Sequence, residues 1–379
     1  MVTAIGSTPS CRVDSLVRSE IEVLVDDRSL GAVLVTGGAG FIGCALSQRL
    51  AAASERWVVL DNLHPQVHPT QVRPQALHSE AELVVGDIAD PEVWSSLLED
   101  LRPDLVVHLA AETGTAQSLR EASRHAEVNV LGTTVMLDAF SAVHHVPARF
   151  VLSSSRAVYG EGEWRRTDGS TFLPGQRSHA QLEAGEWDFA DAEPLPSEAT
   201  RTWPAPTSVY GATKLAQEHL LSAWIGANDV GLTVLRFQNV YGPGQSLSNP
   251  YTGIVSLFSQ LAMRGEAIPI YEDGRITRDF VYIDDVADAL AGVLVATPSG
   301  SSTVFDIGSG VGTTILELAT EIARFHGAPT PRITGAYRDG DVRHAECDLT
   351  RSLALLDWQP KWSVASGMAA LQEWIASQL

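Results

Sequence analysis

The segment VLVTGGAGFIG, residues 33–43, constrains this 379-residue chain more than any other stretch. It places Gly37, Gly40 and Gly43 in a GxxGxxG turn that follows an apolar run and opens a helical pattern. The first glycine allows a tight turn, the second lets a pyrophosphate approach the backbone, and the third lets the helix pack on the strand. The helix amino terminus then faces the phosphates. Asp61 ends the next apolar run, where a carboxylate accepts hydrogen bonds from ribose hydroxyls and repels a 2′-phosphate. NAD is therefore expected in preference to NADP. The GDI segment, residues 86–88, brings Asp87 either to the adenine or to the cap of the helix that starts with PEVW.

Apolar runs alternate with helical patterns from Ala32 onward, the signature of a parallel sheet covered on both faces. AVLVT, WVVLD, ELVVGD, LVVHLAA and RFVLSS read as five successive buried strands, and LTVLRF as a later one. The expected fold is α/β, a Rossmann-type doubly wound parallel sheet with a smaller carboxyl-terminal substrate-binding lobe. Residues 1–30 form an extension in which VDSLVRSEIEVLV reads as a short amphipathic helix. Residues 31–237 are assigned to the dinucleotide-binding domain. Residues 238–379 are assigned mainly to the substrate lobe, with some segments returning to the first domain. Between 161 and 207 a polar stretch rich in proline and glycine interrupts the alternation. It reads as a long loop, ordered near the site or else disordered.

A formal charge of −20 disfavours nucleic acid and anionic membrane as partners, so an anionic ligand must be held by local cations. No apolar run approaches the roughly 20 residues of a membrane helix, and the amino end does not read as a secretory signal. Cys11, Cys44 and Cys347 are odd in number and far apart, which argues for a reducing compartment and against a zinc knuckle. The cytoplasm is the expected address.

The tripeptide VYG occurs three times, at Tyr159, Tyr210 and Tyr241. In SVYGATK, Tyr210 lies one helical turn before Lys214, so both side chains share a face. An ammonium and a positive nicotinamide ring both favour the phenolate of a group that ordinarily titrates near ~10. Lys214 is also placed to hold the nicotinamide ribose, and Ser155, at a strand end, to bridge substrate and tyrosine. Tyr210 is thus the candidate base. Tyr159 is expected to shape a turn and the pocket wall, and Tyr241 to border a loop near the diphosphate.

The order of the glycine turn, Asp61, HLAA, Asn129, SSSRAVYG, SVYGATK, RFQNVYGPG and RDFVYIDDV resembles the extended short-chain dehydrogenase/reductase family, in its nucleotide-sugar epimerase and dehydratase branch. The resemblance runs from about Ala32 to the carboxyl end. It implies Tyr210, Lys214 and Ser155 as the catalytic tyrosine, lysine and serine. Cofactor contacts are implied at Gly37, Gly40, Phe41, Ile42, Gly43, Asp61, Asn62, Asp87, Ile88, Leu109, Ala110, Ala111 and Asn129. Substrate contacts are implied at Glu112, Thr113, Arg156, Asn239, Tyr271, Arg278, Arg338 and Asp341. Two arginines, Arg278 and Arg338, would supply the charge-assisted bonds a diphosphate needs.

Inversion at a sugar carbon bearing only a hydroxyl requires temporary oxidation, because that carbon has no acidic C–H. The expected reaction is C4 oxidation to a 4-keto sugar and hydride return to the other face, with NAD regenerated each cycle. Dehydratases of the branch need an acid/base pair after the serine, whereas this chain has Arg156 and Ala157. HLAAETGTAQS, SSSRAVYGEG and QNVYGPGQSLSNPYTG resemble the subgroup that acts on dTDP-6-deoxyhexoses, interconverting dTDP-L-rhamnose and dTDP-6-deoxy-L-talose. UDP-glucose/galactose and UDP-glucuronate 4-epimerisation remain alternatives, then 4,6-dehydration. A regulatory protein that binds NAD and a nucleotide sugar without turnover is the non-enzymatic one. The resemblance also implies a homodimer and no metal role.

Overall fold

The computed structural model describes residues 30–228, 230–246, 253–296 and 302–378; the helix expected within 1–30 lies outside them. Seven strands form the central sheet: β1 (Ala32–Thr36), β2 (Arg56–Asp61), β3 (Glu82–Val85), β4 (Leu105–His108), β5 (Arg149–Ser155), β6 (Gly231–Phe237) and β7 (Ser302–Ile307). Their order is β7-β6-β5-β4-β1-β2-β3, and every neighbouring pair is parallel. Val33 of β1 lies opposite Trp57 on one side and Leu105 on the other. The doubly wound sheet expected from the alternation is the one observed.

Side chains that alternate along a strand serve opposite faces, and β1 shows why both are apolar. Val33 and Val35 pack with Leu46 and Leu50 of α1 (Phe41–Leu50), in a cluster that also takes in Leu290 and Val293 from further along the chain. Leu34 faces the other way, toward Trp94 and Leu98 of α2 (Pro91–Asp100) and Met136 and Phe140 of α3 (Gly132–Ala142). Leu221 and Ile225 of α4 (Val209–Asn228) complete that layer. Asp90 caps α2, accepting a hydrogen bond from the Glu92 amide, and Pro91 occupies its first turn.

The carboxyl-terminal lobe gathers α5 (Ile254–Met263), α7 (Ile315–His326) and α8 (Val364–Ser377) around Phe258, Phe280, Leu318 and Leu371. Helix α6 (Ile283–Ala296), which carries Leu290 and Val293, and β7 belong instead to the central sheet. STVFDIG, within the residues assigned mainly to the substrate lobe, is thus the sheet's edge strand, and its residues 302–307 pair with β6. Residues 161–207 are folded: Trp164–Arg166 pairs antiparallel with both Thr171–Phe172 and Ala192–Pro194, and a helix runs over His179–Glu183. Trp164 and Leu182 are buried there, with Phe189 edge-on to Trp164 at 4.9 Å.

The strand order reverses between β1 and β4, so the loops leaving them diverge and open a crevice at the carboxyl ends. Two glycines make this junction possible. Gly37 has φ +66°, and a Cβ there would lie 2.6 Å from the Ala110 backbone. At Gly43 a Cβ would lie 2.4 Å from Gly38 Cα and O, so the helix could not seat against its own turn. Gly43→Ala is expected to lower stability by ~1–3 kcal/mol or more, the range for overpacking against an unyielding neighbour; equilibrium urea unfolding measures it, and an unchanged midpoint would refute the close approach.

Candidate active site

A cavity of about 1200 Å³ occupies the crevice and extends into the carboxyl-terminal lobe. Its floor is the glycine turn. Gly40, Phe41, Ile42 and Gly43 line it at the start of α1, whose first-turn amides have no side-chain cap. Such amides, facing a cleft without a Cβ at Gly40, suit a pyrophosphate. Asp61 stands at one end, oriented by the Ala39 amide on Oδ2 at 3.1 Å and the Leu63 amide on Oδ1 at 2.9 Å. Asn62 donates to Asp87 at 2.9 Å, and both line the cavity with Ile88, Leu109, Ala110 and Ala111. Asp87 is not the cap of α2, a position that Asp90 fills. His64 and His68, which sequence reasoning missed, border the same end; His68 Nε2 lies 4.0 Å from Asp61 Oδ1.

At the far end the wall is built by Asn239, Tyr271, Arg278, Arg338 and Asp341. Arg278 is paired with Asp341 at 2.7 Å, and the Arg338 guanidinium lies over the Tyr271 ring at 5.0 Å. Glu112 and Thr113 line the middle. The Glu112 carboxylate is held by Arg124 at 2.6 Å. Asn129 clamps the Glu112 backbone on both sides, accepting from its amide at 2.8 Å and donating to its carbonyl at 3.0 Å.

Ser155, Arg156, Asn129, Tyr210 and Lys214 do not line the cavity wall and form a layer next to it. Ser155 and Tyr210 are half-buried and hydrogen-bonded to each other, and Lys214 is 2% exposed. Burial pushes the Tyr210 phenol up, while the Ser155 hydrogen bond and the Arg156 charge pull it down. Burial likewise lowers the Lys214 ammonium to about 7, against the opposing pull of Glu218. His125 ties this layer to the wall: its ring meets Tyr210 edge-on at 6.4 Å and its Nε2 faces the Thr113 carbonyl at 3.4 Å. Tyr159 is not on this wall. It is buried and donates to Asp306 at 2.8 Å, whereas Tyr241 does line the cavity.

Residues 33–308 match the family described as NAD dependent epimerase/dehydratase. The chain belongs to that family. A dTDP-L-rhamnose 4-epimerase of Burkholderia thailandensis is 60% identical over 360 residues, 94% of this chain and 97% of that one. A UDP-glucose 4-epimerase of Mycolicibacterium smegmatis is 32% identical, covering 91% and 98%. Among solved structures, the UDP-glucose 4-epimerase of Thermotoga maritima with UDP-glucose superposes with a TM-score of 0.75 at 30% identity, over 92% of this chain and 99% of that one. The Thermus thermophilus UDP-glucose 4-epimerase in complex with NAD gives 0.73 at 26%, over 92% and 100%. NAD is the cofactor of the family, and the glycine turn, the open helix terminus and Asp61 fit it. No helix among the described residues is long and apolar enough to cross a membrane.

Behind the family's cofactor face runs a directional network absent from the sequence reading. Lys214 Nζ donates to Gln217 Oε1 at 2.5 Å, so the Gln217 amide nitrogen faces His108 Nε2 at 3.1 Å and donates to Thr133 at 2.9 Å. His108 Nε2 also lies 3.0 Å from Thr133 Oγ1, and its Nδ1 lies 2.7 Å from Thr36 Oγ1, so both ring nitrogens are partnered. Gln217 lies three residues beyond Lys214 on the same helix face, the one signal that would have found it. Burial, and then the Lys214 charge, lower the His108 imidazole from 6.5 to about 3. Its neutral form is the folded form, so protonation favours the unfolded chain as pH falls from 6.5 toward 3. The wild-type chain is expected to lose up to ~5 kcal/mol through this group over that range, at ~1.4 kcal/mol per pH unit; urea titrations of His108→Asn should show a shallower acid loss, and parallel curves would sink the assignment.

Proposed function

We propose that this chain is an NAD-dependent nucleotide-sugar 4-epimerase acting on a dTDP-6-deoxyhexose, interconverting dTDP-L-rhamnose and dTDP-6-deoxy-L-talose. The 60% identity to the Burkholderia dTDP-L-rhamnose 4-epimerase along nearly the whole of both chains carries this reading. UDP-glucose 4-epimerases and dTDP-glucose 4,6-dehydratases among the relatives stand near 30%. The residues after Ser155 support epimerisation over dehydration, since Arg156 and Ala157 offer no group to protonate a leaving hydroxyl.

Bound NAD supplies reversible acceptance of the C4 hydride. The chain's own residues handle the proton and the substrate. Tyr210 Oη takes the C4 hydroxyl proton, assisted by the hydrogen-bonded Ser155 hydroxyl, and returns it when the 4-keto sugar is reduced on its other face. Lys214 stabilises the phenolate, with Gln217 fixing its ammonium. Arg278 and Arg338 hold the diphosphate, while Asn239, Tyr271 and Asp341 border the nucleotide. Glu112 and Thr113 border the hexose, and Arg156 acts from the layer next to that wall. The enzyme is inferred to work in the cytoplasm as a homodimer, with the exposed Leu131, just before α3, as a candidate for the contact.

Incubating the chain with dTDP-L-rhamnose and no added NAD should yield the C4 epimer by proton NMR, since the cofactor is regenerated. Tyr210→Phe should lower kcat by ~10²–10⁴-fold, the contribution of a positioned acid/base. Conversion of UDP-glucose in preference would move the substrate assignment, and a product lacking one water would replace epimerisation by dehydration.

A further inference from the structure

The segment Tyr337–Asp341 forms one wall of the cavity yet includes no helix or strand. Its order must come from elsewhere. The folded insertion 161–207 lies against its other side and touches it repeatedly. Tyr337 sits between the rings of His179 at 5.7 Å and Trp187 at 6.3 Å, and His179 Nδ1 reaches Asp339 at 3.1 Å. A Cβ at Gly340 would come 3.2 Å from Gln176 Nε2. Arg177 Nη2 donates to the Asp341 carbonyl at 2.8 Å.

Arg177 also anchors a buried charge cluster. Arg177, Glu161, Glu272 and Arg343 are each at most 4% exposed. Arg177 meets Glu272 at 2.9 Å and Glu161 at 3.3 Å; Arg343 meets the same Glu272 at 3.0 Å and Asp188 at 2.7 Å. Glu272 adjoins Tyr271, and its amide donates to the Ala336 carbonyl at 2.7 Å. One buried carboxylate thus links the insertion to both flanks of the Tyr271 and Arg338 pair. Desolvation offsets most of what such ion pairs give to stability, whereas their geometry is exacting.

We propose that the insertion is a positioning element for the nucleotide diphosphate, with Arg177 as the positioning residue that sets the 337–341 wall and so the placement of Tyr271, Arg338 and Asp341. The proposal rests on the nucleotide-sugar reading above. Arg177 touches neither substrate nor cofactor; it acts through the Asp341 carbonyl and Glu272.

Isothermal titration with dTDP, together with steady-state kinetics and the amount of NAD released on denaturation, tests it. Arg177→Met should raise the dTDP Kd and the sugar-nucleotide KM together by ~10-fold or more, with kcat changed by less than ~3-fold and retained NAD unaltered. Arg177→Lys should recover part of the loss. If Arg177→Met does not fold, the paired surface changes Gln176→Ala and His179→Ala, both at exposed side chains, carry the test in the same direction with a smaller rise. Unchanged dTDP affinity in folded variants overturns the proposal, as does loss of NAD or of kcat without a change in dTDP binding. A wild-type chain that does not bind dTDP overturns the dTDP-sugar reading of the proposed function, a different result from one that binds equally in wild type and variants.

Discussion

The bond between Thr36 and His108 lies where the sheet reverses direction, and the site depends on it. It joins the carboxyl ends of β1 and β4, the strands whose diverging loops create the crevice. The other ring nitrogen of His108 meets α4, lying 3.1 Å from the Gln217 amide nitrogen. The same amide fixes Lys214. A buried histidine in the sheet thus joins the ends of β1 and β4 to the helix that carries Tyr210 and Lys214.

The elements that a sequence reveals are those whose partners are implied by spacing. Continuous apolar runs mark β1 to β6 within a residue or two, apart from the carboxyl ends of β3 and β4, and Tyr210 with Lys214 were visible because four residues make a helical turn. The ends of β3 and β4 were overextended because Gly86 to Asp87 and Leu109 to Ala111 continue the composition but turn toward the cavity. Which segments of 238–379 return to the first domain was not legible for a related reason: an edge strand late in the chain, such as STVFDIG, reads like any short strand until its neighbour is known. The insertion was opaque because its strands are two or three residues long and its apolar anchors, Trp164, Leu182 and Phe189, follow no period.

The three VYG tyrosines show how burial separates identical tripeptides. Tyr159 is pushed well up by burial and by Asp306, to which it donates, so it is a structural donor. Tyr241 is also raised by burial, packs between Phe280 and Tyr282, and leaves no room for a side chain at Gly367. Only Tyr210 is half-buried and bonded to a serine hydroxyl, and the Arg156 charge pulls its phenol down. The difference lies in neighbours drawn from distant parts of the chain, which a local motif does not contain.

The buried cluster around Arg177 also bears on the order in which the molecule is assembled. During synthesis from the amino end, Glu161 and Arg177 emerge long before Arg343, whose amide reaches Glu161 across 182 residues of chain. Until then the insertion has a thin apolar centre and charges that stay hydrated, so it gains little by closing. Its docking is coupled to completion of the carboxyl-terminal lobe, because the buried charge cluster is complete only once Arg343 is present.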